Sequence, residues 1–282
     1  TKWRMISVII HEVGHFFIPM IINSDERQWT WMDEGLNTFV QSLTQKEYYK
    51  DMPLRRGTAE SIVDYMRSPK DMLRPIMTNS EQIASREFGA NAYGKPASAL
   101  SVLRETIMGP ELFDYAFKEY SRRWAFKHPD PADFFRTMED ASAIDLDWFW
   151  RGWFYSTDNV DVSVERVKWF KMKNVDKPFE NKAKVENKEI KGKKNQSDDP
   201  KYAMPFEPSE FYFSSTNKNE YREFMNQVDD DKIKMQNSNK NFYEVTFENK
   251  GGLVTPLIIE WTYEDGSIEI EKLPAEIWRL NE

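Results

Sequence analysis

The chain has 282 residues, 40% of them hydrophobic and 15% aromatic. That is apolar material for one large or two ordinary folded domains, and it excludes a disordered chain. A net charge of −8 argues against nucleic acid as the main partner, and the lack of cysteine excludes disulfides, thiolate metal sites and cysteine nucleophiles.

The apolar run Ser7 to Ile22 contains two histidines and a glutamate and is short for a bilayer span, so no transmembrane segment is expected. Without a recognisable targeting signal or initiator methionine, the sequence reads as a piece of a longer chain. A helix is expected from Lys2 to about Ile18, with Ile6, Ile9, Ile10, Val13, Phe16 and Phe17 as its apolar positions and Pro19 as its stop. A polar loop follows, then a helix from Asp33 or Glu34 to about Lys50 with Leu36, Phe39, Val40 and Leu43 on one face. Ala59 to Arg67 reads as a short helix and Pro69 to Asn79 as a loop. Pro96 to Met108 is a helix opened by proline and stopped by Gly109. Pro110 to Ala125, Asp130 to Met138 and the aromatic segment Asp147 to Tyr155 complete a nearly all-α block.

The character then changes. Nine lysines fall between Lys171 and Lys194, and the stretch 159–240 reads as a polar connector with one short helix near Ser209 to Val228. From Phe242 the hydrophobic period becomes two. FYEVTF, PLIIEWTY, SIEIEKL and EIWRL are expected as antiparallel strands, with Asp265-Gly266 as a hairpin turn. The expected organisation is therefore mainly α over 1–158, the connector over 159–240, and a small, truncated antiparallel β domain over 241–282.

The chemistry concentrates in HEVGH. His11 and His15, four residues apart, share one helix face and suit a single tetrahedral ion, and Glu12 can reach a water in an open coordination position. A core helix with hydrogen-bonded histidines has the same pattern. Glu34, separated from His15 by eighteen intervening residues and at the start of the next expected helix, offers the third ligand of a His₂Glu site.

HEVGH, that spacing, and Glu34 within WMDEGLNTF together resemble the gluzincin signature of M1-type zinc aminopeptidases. The family more often has Asn where this chain has Asp33. Tyr93-Gly94-Lys95-Pro96 resembles the family's Tyr-x-Lys-Gly, with Pro96 in place of the last glycine. The resemblance implies a thermolysin-like catalytic domain with one zinc ion held by His11, His15 and Glu34. It also implies Glu12 as general base, Tyr93 as hydrogen-bond donor to the oxyanion, and peptides as substrates. The family's Gly-x-Met-Glu-Asn strand, which holds the substrate amine, lies upstream of the zinc helix and is not in this sequence. Peptide-bond chemistry is accordingly the firmer implication and exopeptidase action the weaker. By resemblance alone, the compartment is the bacterial cell envelope, periplasmic or secreted.

Arg151, among the aromatic residues of the Asp147–Tyr155 segment, is a further candidate for substrate binding, although those aromatics have the spacing of core residues. His128, flanked by proline, reads as a surface-loop residue. The rival reading from another class is a non-enzymatic, zinc-stabilised peptide- or protein-binding module, or an inactive fragment.

Overall fold

The computed structural model describes residues 2–171 and 241–279. The chain forms two compact units: Thr1–Asp161 with Gly251–Glu282, and Val162–Lys250. In the first, α1 (Lys2–Gly14) is followed by a π turn (Trp31–Gly35) that runs into α2 (Leu36–Tyr48). The short helices α3 (Val63–Met66) and α4 (Ser85–Phe88) precede a second π turn, Gly89–Gly94, which runs into α5 (Lys95–Val102). Helices α6 (Pro110–Trp124), α7 (Pro131–Ser142) and α8 (Asp147–Tyr155) complete the helical part. No helix among the described residues is long and apolar enough to cross a membrane.

The core is aromatic. Trp31, Phe113, Tyr120, Phe134, Phe149 and Phe154 are all but fully buried. The Phe134 ring meets Tyr120 edge-on at 4.9 Å and Trp150 at 5.9 Å, and Trp31 contacts Phe134, Phe135 and Phe154. Each such pair adds about 0.5–1.5 kcal/mol beyond its burial. Phe149, Trp150, Trp153 and Phe154 of α8 are therefore core, as their spacing indicated, while Tyr155 is exposed. Helix α7 starts at a reciprocal cap between Asp130 and Asp133, with Pro131 in its first turn.

Helix α1 is placed differently. None of its residues is buried, and Met5, Val8, Ile9 and Val13 are exposed. Side-chain amides of α2 hold it instead. Asn37 Nδ2 donates to His11 O at 2.8 Å, Gln41 Nε2 to Ser7 O at 2.9 Å, and Gln45 Nε2 to Ser7 Oγ at 3.0 Å. Positions 37, 41 and 45 form one stripe of a helix face.

The two π turns touch. A Cβ on Gly35 would lie 2.6 Å from Pro96 Cγ, 2.8 Å from Pro96 Cβ and 3.0 Å from the Ala92 carbonyl oxygen. Only glycine permits that approach, and Pro96 is the residue that fills the space.

Three expectations need correction. The first helix ends at Gly14 rather than near Ile18, because Phe16, Phe17 and Ile18 close irregular turns on Val13 and Gly14. The connector does not begin at 159. Val162–Lys171 is a strand, β1, pairing antiparallel with β2 (Asn241–Asn249) in a register running from Val162 opposite Asn249 to Lys171 opposite Asn241. Its period-two pattern, VSVERVKWF, is masked by charge in the sequence. The rest of the expected connector, including the helix near Ser209 to Val228, lies outside the described residues.

The third correction concerns EIWRL, which is not a strand. Strands β3 (Leu257–Thr262) and β4 (Ile268–Leu273) pair through the Asp265-Gly266 turn as expected. Residues Ala275–Arg279 then form a 3₁₀ turn: Ile277 N–H donates to Pro274 O, and Trp278 Nε1 donates to Thr255 O. Residues 251–282 group with the helical block, and Leu253 is buried in its core.

Gly35→Ala is expected to lower stability by about 1–3 kcal/mol, since the added methyl has no room. A Pro96→Ala background should absorb part of that loss. Denaturant unfolding of the two single variants and the double variant measures the coupling, and strictly additive losses would show that the contact does not constrain the turns.

Candidate metal centre

His11 of α1, His15 just past its end and Glu34 of the first π turn converge on one point. The distance from His11 Nε2 to Glu34 Oε2 is 2.9 Å, from His15 Nε2 to His11 Nε2 3.1 Å, and from His15 Nε2 to Glu34 Oε2 3.4 Å. Among the described residues the three form one of two groups whose ligand atoms could hold a metal. A tetrahedral ion with bonds of about 2.0–2.1 Å has donor–donor edges of about 3.3–3.4 Å, so the observed triangle fits one after a small expansion.

The hydrogen bonds around the histidines favour a cation there. His11 Nδ1 faces Gln41 Oε1 at 3.0 Å. The Gln41 amide is oriented by its Nε2, which donates to Ser7 O and Ser7 Oγ. His15 Nδ1 lies 2.9 Å from Ile18 O. Both Nδ1 atoms thus meet acceptors and carry the protons of the neutral rings, which leaves both Nε2 lone pairs aimed at each other and at a carboxylate. A metal ion satisfies all three donors. A second proton on His11 would be shared with Glu34, and that hydrogen bond raises the His11 pKa despite burial. Burial opposes the Glu34 charge, but hydrogen bonds from His11 and Tyr93 outweigh it and hold its pKa below the ordinary value.

Asp33 stands behind His15, with Oδ1 3.0 Å from Nδ1. That contact is within ion-pair range but outside hydrogen-bond geometry, because the Nδ1 proton points at Ile18 O. Burial and then the Glu34 charge push the Asp33 pKa up to about 7.

The second π turn brings Tyr93 to the same place. Its hydroxyl donates to Glu34 Oε1 at 2.6 Å, and its ring stacks on His11 with centroids 5.9 Å apart. Burial first and the Glu34 bond second raise its pKa, which keeps the phenol protonated. Both Glu34 and Tyr93 therefore sit on π-helical turns, a geometry that recurs at functional sites. Two residues beyond Tyr93, Lys95 is 2% exposed and donates to Ser156 O at 2.8 Å, tying the start of α5 to the end of α8. Burial pulls its pKa down to about 8.

Of the residues singled out in the sequence, His11, His15, Glu34 and Tyr93 meet. Glu12 is exposed beside His11, with no hydrogen bond among the described residues, and its charge contributes to the raised pKa of His11. Arg151 is exposed on α8 and makes no hydrogen bond or ion pair with the site among the described residues, so the structure does not bring it there. His128 is an exposed loop residue whose Nδ1 lies against Asn23. Sequence reasoning missed Asn37 and Gln41, although their spacing of three and seven from Glu34 puts them on the same helix face.

Comparison with known proteins gives a consistent picture. The model of the peptidase family M1 domain matches residues 1–153. A glutamyl aminopeptidase from Sus scrofa is 25% identical over 150 residues, which cover 51% of this chain and 16% of that protein. A probable aminopeptidase 2 from Sulfurisphaera tokodaii is 25% identical over 158 residues, 54% of this chain and 20% of its own length. Aminopeptidase M1-A from Oryza sativa is 20% identical over 156 residues, 54% and 18% respectively. The matched part is thus a fraction of each relative.

The buried Lys95 has a measurable signature. At pH 7 its ammonium is charged whether the chain is folded or unfolded, and burying it opposes folding. Between about 8 and the ordinary lysine value of 10.5, the folded chain has released a proton that the unfolded chain still holds, so stability rises with pH. From pH 7 to 10 the parent should gain about 2–3 kcal/mol relative to Lys95→Met. Denaturant unfolding of both at the two pH values checks this; an unchanged difference would mean the ammonium is not desolvated.

Proposed function

The chain belongs to peptidase family M1, and from that premise we propose that it is a zinc-dependent peptidase with a thermolysin-like catalytic arrangement. The observation that carries the proposal is the convergence of His11 Nε2, His15 Nε2 and Glu34 Oε2 within 3.4 Å, with both Nδ1 atoms already engaged.

In this reading His11, His15 and Glu34 would hold the ion and leave it open to a water. Zinc, when bound, supplies a Lewis acid that lowers the pKa of water to about 7. Glu12 is the base. Its carboxylate takes a proton from the attacking water and hands it to the leaving amine, and it faces solvent with no competing hydrogen bond among the described residues. Tyr93 would donate a hydrogen bond to the developing oxyanion, a role supported by its position at Glu34 and by the pKa that keeps it protonated. Asn37 and Gln41 orient α1 and the His11 ring. The names of the relatives support removal of single N-terminal residues as the form of hydrolysis.

Glu12→Gln is expected to retain one zinc per chain and to lose at least about a hundredfold in cleavage rate. Tyr93→Phe should lose a similar factor in kcat with its zinc unchanged, whereas His15→Ala should lose the metal. Metal content by mass spectrometry, with chelator-sensitive cleavage of a mixed peptide pool, reads all three. Normal turnover by zinc-loaded Glu12→Gln would defeat the assignment, and a retained zinc with no cleavage by the parent would favour a binding module.

A further inference from the structure

Arg56 reaches the site from a segment that supplies none of its ligands. Its guanidinium carbon lies 4.4 Å from the centroid of the Tyr93 ring, and a Cβ on Gly89 would come within 3.5 Å of one Nη atom. The group therefore lies across the π turn that carries Tyr93. Arg56 is exposed, and among the described residues it has no hydrogen bond or ion pair. Arg74 and Arg86, by contrast, both approach Glu87.

A guanidinium over a ring is attracted by the ring's quadrupole, which uses none of its N–H groups. Those groups are coplanar, the geometry for two-point binding of a carboxylate. The site's carboxylates, Glu12, Asp33 and Glu34, do not occupy it. They would repel a second carboxylate that had no cation beside it, so an anionic ligand group is favoured at Arg56 and disfavoured nearer His11.

We propose that Arg56 is a carboxylate anchor that sets ligand preference beside Tyr93. It takes a carboxylate of a bound peptide, from an acidic side chain or from the C-terminus of a short peptide. The inference rests on the reading of the site as one that binds peptides for hydrolysis.

Four short peptides test it, carrying Glu or Gln and ending in a free acid or an amide. Their affinities are measured by calorimetry on the full chain supplied with zinc, in a Glu12→Gln background that suppresses cleavage. At least one carboxylate should improve affinity about tenfold over its neutral counterpart. Arg56→Ala should remove that contrast while leaving the neutral peptide within about twofold, and Arg56→Lys should keep part of it. A contrast between Glu and Gln assigns the anchor to the side chain; one between acid and amide assigns it to the terminus. The proposal is overturned if there is no contrast, if the contrast survives Arg56→Ala, if acid and neutral peptides weaken equally, or if none of the four binds. Parallel cleavage assays on the parent separate the two readings. Contrast without metal-dependent cleavage sinks the peptidase reading alone, and metal-dependent cleavage without contrast sinks the anchor alone.

Discussion

The contact of Gly35 with Pro96 and Ala92 is the constraint on which the site depends. It presses two π turns together, and each presents one functional side chain at the seam. Glu34 precedes the glycine, Tyr93 precedes the proline by three residues, and their side chains meet at 2.6 Å. A regular α-helical turn in either place would rotate its side chain relative to the other. Trp31 anchors the first turn by packing into the Phe134, Phe135 and Phe154 cluster. Lys95 anchors the second through Ser156. The aromatic core thus acts on the site by fixing the turns rather than by lining it.

The histidine helix is held by polar means. With no buried residue of its own, α1 takes its position from the amides of Asn37, Gln41 and Gln45. Gly14 leaves room for this, because a Cβ there would strike the buried Asn37 amide. The same stripe orients the metal-binding chemistry. Gln41 fixes the His11 tautomer and Ile18 O fixes that of His15, so the helix contact and the choice of donor nitrogen have one cause. A helix placed by directional hydrogen bonds is placed in rotation and in register, which nonspecific apolar packing would leave less defined.

Asp33, Glu34 and Glu12 gather negative charge at two imidazoles. The hydrogen bond to Glu34 raises the pKa of His11, and burial, then the Glu34 charge, raises that of Asp33. Asp33 adds a carboxylate 3.0 Å from His15.

The sequence by itself determined the helical block, its turns at Pro110 and Pro131, the hairpin at Asp265-Gly266 and the grouping of His11, His15 and Glu34. Those follow from local periodicity and from the spacing of His11, His15 and Glu34, which chemistry constrains. The tertiary structure alone decided that Glu34 and Tyr93 ride on π turns, that Gly35 and Pro96 close the gap between them, and that Arg56 lies on the tyrosine ring. It also decided that β1 pairs with β2 and that Arg151 is exposed on α8 with no contact to the site among the described residues. These depend on contacts between residues far apart in the chain, and neither propensity nor period carries that information.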